Sequence, residues 1–204
     1  MKLSKFCKVE LSASTDETRH AITEPFLDIA VDADGTRKGN LVSVDGRILA
    51  IVPVELDEHD AQGYVSPDVL KAARKAAFKG SNYATVTCNG KAELPNGVTM
   101  PRTEVSEGTQ FPNWRQVTVP RVSGDIEDTM PAEDGTKGEP MPRTHTVVGI
   151  DIALLWKLAQ SLGTDAVRLQ IPVDGMGSIR VDSMPVKDQP STGAYGVIMP
   201  MRLS

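Results

Sequence analysis

A helix-start signal at Ser66-Pro67 recurs 85 residues later at Asp151, and a turn glycine at Gly90 recurs at the same offset at Gly175. Each set has the same order: cap, helix, strand, turn, strand. The first helix is expected from Ser66 to Phe78. Ser66 suits the cap, Pro67 the first helical position, Asp68 the positive end of the dipole, and Gly80 the stop. The second is expected over Ile152–Leu162, between Asp151 and Gly163. Strands follow the first at 83–87 and 91–94 around Asn89-Gly90. They follow the second at 166–171 and 178–181 around Asp174-Gly175. Capped helices and tight turns are common singly, but their shared order and offset argue for two related units.

Upstream of the first helix the pattern is strand-like. Residues 5–12 (KFCKVELS) alternate imperfectly through Phe6, Lys8, Val9 and Leu11. A short apolar run, Phe26–Val31, ends in the turn signal Asp32-Ala-Asp-Gly35. The clearest hairpin joins 41–44 to 47–52 through Asp45-Gly46, read as a type I′ turn. Pro53, lacking an N–H, should limit pairing beyond it. Residues 55–60 (ELDEHD) read as a solvated acidic loop. Residues 121–144 combine acids, bases, Pro and Gly without apolar periodicity and read as a long irregular loop. The chain closes with an apolar strand over 194–199.

Composition narrows the class. Of 204 residues 40% are hydrophobic, and Gly and Pro number 17 and 14. That is an ordinary folded chain and excludes collagen, coiled coil and wholesale disorder. The longest apolar runs, 48–54 and 150–158, are interrupted and fall far short of the ~20 residues of a membrane span. The first residues carry charge without a following apolar stretch, so no secretory signal is expected. Two cysteines, Cys7 and Cys88, outside any CxxC spacing, suggest free thiols in a reducing cytoplasm. A net charge of −5 excludes an evenly basic nucleic-acid binder but allows a basic stripe on an acidic body.

No catalytic set emerges. His20, His59 and His145 lack metal spacing, and no GxSxG, P-loop or GxGxxG occurs. No enzyme activity, metal or cofactor is expected. The first helix instead segregates charge. Val69, Leu70, Ala73, Ala76 and Ala77 form one face, and Lys71, Arg74, Lys75 and Lys79 fall together on the other. Such cations can hold phosphates without reading sequence, or can simply solvate an exposed face. Trp114 and Arg115 can form an aromatic–cation surface, or Trp114 can pack into a core at a junction. The Met199-Pro-Met201 end can fray, or can meet an apolar partner.

These pieces resemble one family, the bacterial DNA polymerase III β sliding clamp. The ending Ala194-Tyr-Gly-Val-Ile-Met-Pro-Met-Arg-Leu203 is similar to the clamp's MPMRL terminus. Phe111-Pro-Asn-Trp-Arg-Gln-Val117 resembles its FPDYRRV-type segment between the middle and last domains. Val44-Asp-Gly-Arg-Ile-Leu-Ala50 resembles its TDGHRLA hairpin. Tyr64-Val-Ser-Pro-Asp-Val-Leu-Lys71 falls where a clamp strand leads into a hole-lining helix. The four matches are collinear.

The resemblance implies an α+β fold of two clamp-like domains with antiparallel sheets and one main helix each. They would span 1–117 and an abridged 118–204, with the irregular loop at 121–144. It implies a processivity factor that encircles or tethers to duplex DNA, with Lys71, Arg74, Lys75 and Lys79 facing phosphates. It further implies a peptide pocket for short apolar motifs of DNA polymerase and clamp loader subunits. By motif position the pocket takes Val44, Gly46, Arg47, Ile48 and Leu49; Pro112 and Val117; Met176 and Ser178; and Val197, Met199, Pro200, Met201 and Arg202. Burying a Leu and a Phe there would contribute about 1.5–3 kcal/mol each before ordering costs. A homo-oligomer is implied, a trimer if six domains make the ring. The alternative is a non-encircling adaptor or competitor that keeps the pocket and not the ring. The chain departs from the family in matching only its last two domains. It carries Val44 for Thr and Arg47-Ile48 for His-Arg, and it has no first helix before Ala21.

Overall fold

The computed structural model describes residues 1–103, 110–118, 148–172, 177–185 and 192–201. The expected loop at 121–144 and the Asp174-Gly175 turn lie outside the described residues. Among those described, twelve strands form three antiparallel sheets, with two α-helices.

The largest sheet carries the architecture. It contains β2 (Phe26–Val31), β3 (Arg37–Val44), β4 (Ile48–Val54), β5 (Gly63–Tyr64), β10 (Val167–Gln170), β11 (Ile179–Ser183) and β12 (Tyr195–Ile198), in the order β10-β11-β12-β4-β3-β2-β5. β1 (Lys2–Ser4) pairs with β6 (Tyr83–Thr85), and β7 (Thr87–Asn89), β8 (Lys91–Glu93) and β9 (Thr99–Pro101) form a small meander. Strands from either side of residue 117 share the large sheet. Strands follow each helix as expected, β6 to β8 after the first and β10 and β11 after the second.

Alternation along the strands gives the large sheet two apolar faces. Ile48, Ala50 and Val52 of β4 point with Leu41, Ile179, Val181 and Ile198 into the main core. Helix α1 (Pro67–Ala76) seals it with Val69, Leu70 and Ala73, and α2 (Ile152–Leu162) with Leu154, Leu158 and Leu162. Both helices begin as the sequence predicts. The Ser66 hydroxyl accepts from Val69 N at 3.3 Å, and Asp151 Oδ1 accepts from Ala153 N and Leu154 N at 2.9 and 3.3 Å. α1 stops at Ala76, two residues short of expectation, because Ala77 is already extended. α2 ends on left-handed Gly163 (φ 71°), where a Cβ would sit 2.7 Å from Cys7 N. Gly196 lets α2 approach the sheet, since a Cβ there would lie 2.7 Å from Leu158 Cδ1.

Five local expectations are corrected. Residues 5–12 are not a strand: β1 ends at Ser4, and Val9–Ser12 is a 3-10 turn. Their polar groups are spent elsewhere. Lys8 N donates to Gln160 O at 3.1 Å, Cys7 Sγ to Leu162 O at 3.3 Å, and the Ser12 and Ser161 hydroxyls meet at 2.7 Å. The Asp45 turn is shifted by one residue: Val44 pairs with Leu49 and Asp45 N donates to Ile48 O at 3.2 Å, so Gly46-Arg47 rather than Asp45-Gly46 form the tip. Pro53 does not end the β3 ladder, which runs on to Val54; the ladder with β12 stops at Ile51. The single strand expected at 83–87 is two strands in different sheets, β6 and β7. The acidic loop is also not wholly solvated: Asp60 is buried, ion-paired with the Met1 ammonium, and accepts from Cys88 N at 2.8 Å. Phe26–Val31 and the final strand form as expected.

Candidate functional site

The Gly46-Arg47 hairpin tip is built by local chemistry. Asp45 Oδ1 accepts from Arg47 N and Ile48 N at 2.8 and 2.9 Å, folding the turn on its own side chain. Its other oxygen meets Lys157 Nζ of α2 at 3.2 Å. The Asp45 carbonyl accepts from Arg19 Nη1 at 3.0 Å. Gly46 has φ 97°, and a Cβ there would come within 2.8 Å of that guanidinium. The tip is thereby fixed to α2 and to the 14–19 loop, with Gly46 and Arg47 left exposed.

The closing residues run beside this tip. Val197 pairs with Leu49 and Ile198 with Ile48, then Met199 N donates to Arg47 O at 3.0 Å and Met201 N to Gly149 O at 2.8 Å. Met199 and Met201 are about half exposed, at 49% and 56%. Val44, Leu49 and Val197 share the face opposite the helices with Val42, Ile51, Tyr195, Phe111 and Trp114. Leu49 and Val197 are already covered there, whereas Val44 is half-buried. Ile48 points the other way, into the main core. Ser178 adjoins Ile179, the partner of Ile198. Met176 and Arg202 lie outside the described residues.

Residues 110–118 cross this second face. Trp114 is buried at its centre in a 3-10 turn, and Pro112 and Val117 are exposed on either side. Both sequence readings of this segment are realised. Trp114 packs on the sheet, and the Arg115 guanidinium lies 4.6 Å from its ring centroid while pairing with Asp28. Phe111 stacks on Phe26 at 5.0 Å and 12°. Arg180 sits 4.0 Å from the Tyr195 ring. Burial raises the Tyr195 phenol pKa, with Arg180 and Arg115 opposing the shift. Beside Trp114 opens a cleft of about 670 Å³, lined by Phe26, Asp28, Phe111, Pro112 and Arg115 among others. The sequence reading found Pro112 but missed the cleft. The aromatic pair Phe26 and Phe111 was its only signal, and the two are far apart in sequence.

On α1, Lys71 and Lys75 are exposed; Lys79 is exposed too but lies beyond the helix end at Ala76, so it does not share their helical face as expected. Lys71 contacts Asp68 at 3.3 Å, an exposed pair of small consequence. Arg74 is different. Its guanidinium pairs with Glu10 and donates to Cys7 O at 3.2 Å, with both side chains largely buried. It ties α1 to the 3-10 turn. His59 is exposed beside Glu58, and among the described residues no group of three His, Cys, Asp or Glu could hold a metal ion. Nor is any described helix long and apolar enough to cross a membrane.

No protein-family model and no curated protein sequence matches the chain. Solved structures do. The DNA polymerase III β subunit of Borrelia burgdorferi, in complex with a natural product, matches with a TM-score of 0.62 at 15% identity, covering 100% of this chain and 64% of that one. The Pseudomonas aeruginosa β subunit gives 0.61 at 14% identity, covering 100% and 66%. The DnaN sliding clamp of Bartonella birtlesii, bound to griselimycin, gives 0.60 at 16% identity, again covering 100% and 66%. The chain spans just under two-thirds of the length of these clamps. At such identities the likeness speaks for fold alone: this α+β chain, with its antiparallel sheets and two helices, has the fold of a shortened bacterial sliding clamp.

Proposed function

We propose that the chain is a compact sliding-clamp-like processivity factor. It tethers to duplex DNA by its helix side and receives short apolar motifs of DNA polymerase and clamp loader subunits on the opposite, hairpin–tail side. It works in the cytoplasm, without catalysis of its own. The observation that carries this reading is the pairing of the C-terminal strand with the hairpin strand, β12 with β4, inside a clamp-like fold. That pairing lines up Val44, Arg47, Met199 and Met201 as half-exposed apolar and cationic surface. A Leu- and Phe-bearing peptide suits such a surface. On the other side, Lys71, Lys75 and Lys79 supply weak, sequence-blind attraction, which permits sliding where tight contacts would forbid it. Three copies would assemble the ring.

Sedimentation and retention on circular DNA test the reading. A trimer retained on circular DNA and released on linearisation is expected. Reversing Lys71 and Lys75 to Glu should weaken retention and leave peptide affinity unchanged. Truncation before Met199 should weaken a Leu/Phe peptide bound to the full chain. A monomer that binds the peptide without topological retention would replace the ring with the non-encircling adaptor.

A further inference from the structure

The two tryptophans sit in opposite surroundings. Trp114 is 7% exposed, while Trp156 is 55% exposed on α2, on the helix side of the sheet. Trp156 continues an outward stripe from Ile152, 72% exposed, to Gln160, at four-residue spacing. Neither Ile152 nor Trp156 is spent on the core, and Trp156 presents its ring beside cations.

The ring borders a recess of about 240 Å³. Lys5, Lys8, Gln160, Thr164 and Asp165 share the rim with it. The recess exists because residues 5–12 are not a strand. The turn they make is held against the end of α2 by the bonds from Lys8 N to Gln160 O and from Cys7 Sγ to Leu162 O. It is held against α1 by Arg74. That arrangement presents Lys5 and Lys8 next to Trp156. Among the described residues neither lysine forms an ion pair, and neither do Lys75 and Lys79. Two cations and one carboxylate surround two aromatic rings, Trp156 and Phe6, with Lys5 Nζ 5.7 Å from the Phe6 centroid, so charge complementarity selects a polyanion whose repeating units also carry a flat apolar surface.

We infer that Trp156, Lys5 and Lys8 form a stacking site for an unpaired nucleobase, with the lysines on the flanking phosphates of a single strand. Stacking on an exposed aromatic is tolerant of sequence and strong enough to bias a weak electrostatic encounter. The inference rests on the DNA-tethering reading above and adds to it a preference for DNA that contains single-stranded segments.

The test compares two fluorescein-labelled oligonucleotides of equal length on the full chain, oligo(dT) and its abasic counterpart, by anisotropy. Both carry the same phosphates and only one carries bases. The site predicts that oligo(dT) binds about tenfold more tightly, with quenching of the tryptophan emission. Trp156→Ala should erase the difference and Trp156→Phe should retain most of it. Lys5→Gln with Lys8→Gln should flatten the dependence of log K on log salt by about 0.7 per lysine. A thermal melt of each variant controls for folding, which an exposed site should barely disturb. Equal affinities for the two oligonucleotides, or a difference that survives Trp156→Ala, overturn the stacking site. If that happens while circular duplex is still retained, DNA tethering stands. If wild-type protein binds neither oligonucleotide nor duplex, both readings fall.

Discussion

The large sheet has two apolar faces, and they are covered unequally. On one, α1 and α2 lay Val69, Leu70, Leu154, Leu158 and Leu162 over the strands, and the cover is continuous. On the other, one crossing segment supplies Trp114 and Phe111 above Val42, Leu49, Ile51 and Val197. Val44, Pro112, Val117, Met199 and Met201 then stay partly or largely open. The helix face spends its apolar surface on stability. The crossing-segment face leaves some of it open, and Pro112 there lines a cleft. The difference is rooted in the sequence. Two capped helices with repeated apolar positions can seal a sheet, whereas a segment of nine described residues covers only its centre.

Truncations weigh the two faces against each other. Leu158 is fully buried between α2 and the Gly196 gap. Leu158→Ala should cost about 4 kcal/mol, within the range for a cavity in a rigid core, read from urea unfolding. Trp114→Ala removes a larger side chain but should cost only about 3 kcal/mol, because the crossing segment can settle into the space. It should also speed protease cleavage near residues 110–118. If Trp114→Ala proved the costlier change, the second face would be as structural as the first, and the contrast would fail.

What could be read from the sequence followed from how local its causes are. The caps Ser66 and Asp151, the hairpin turn at Gly46 and the run Phe26–Val31 declare themselves within a few residues. Residues 5–12 mislead because Phe6, Lys8, Val9 and Leu11 imitate alternation, while the bonds that fix them lead to α2, 155 residues away from Cys7. β9 is three residues long and leaves no period to detect. For the site, the adjacency of tail and hairpin came from family resemblance, since no spacing rule brings Met199 to Arg47. A helical projection placed Arg74 with Lys71 and Lys75 and could not see Glu10. The resemblance put Ile48 in the pocket by motif position, although strand alternation turns it to the core.

Arg74 and Lys75 are neighbours that sharpen the contrast within the helix side. Arg74→Ala leaves Glu10, 5% exposed, without its partner. The cost should be about 2 kcal/mol, below the roughly 3–5 kcal/mol of a fully buried broken pair because Arg74 keeps some solvent. Lys75→Ala should stay within about 0.5 kcal/mol. DNA retention should respond in the opposite order once folding is controlled, Lys75 contributing directly and Arg74 only by holding the turn. Equal stability losses would show that the Glu10 pair does not organise the helix side.

The gentlest probe is pH. Burial pushes the Cys7 thiol up to about 12 and the Cys88 thiol up to about 11, from an ordinary value of 9.0. Both belong to the helix-side core. In the folded state the two thiols therefore keep their protons where the unfolded chain has begun to lose them. The native state binds more protons above pH 9, so stability falls as pH rises, a loss that continues until the folded values are reached. Between pH 8 and 9.5 the two thiols together should lower unfolding free energy by about 1.5 kcal/mol. Cys88→Ala should halve that slope whatever it does to the absolute stability. Tyr195 and Tyr64, both raised from 10.0 by burial, add a smaller loss of the same sign at the top of this interval. Native protein should also resist iodoacetamide at pH 8 and react only on unfolding, because the thiolate is the nucleophile. Rapid alkylation of folded protein would mean that the helix-side core opens far more readily than its continuous cover allows.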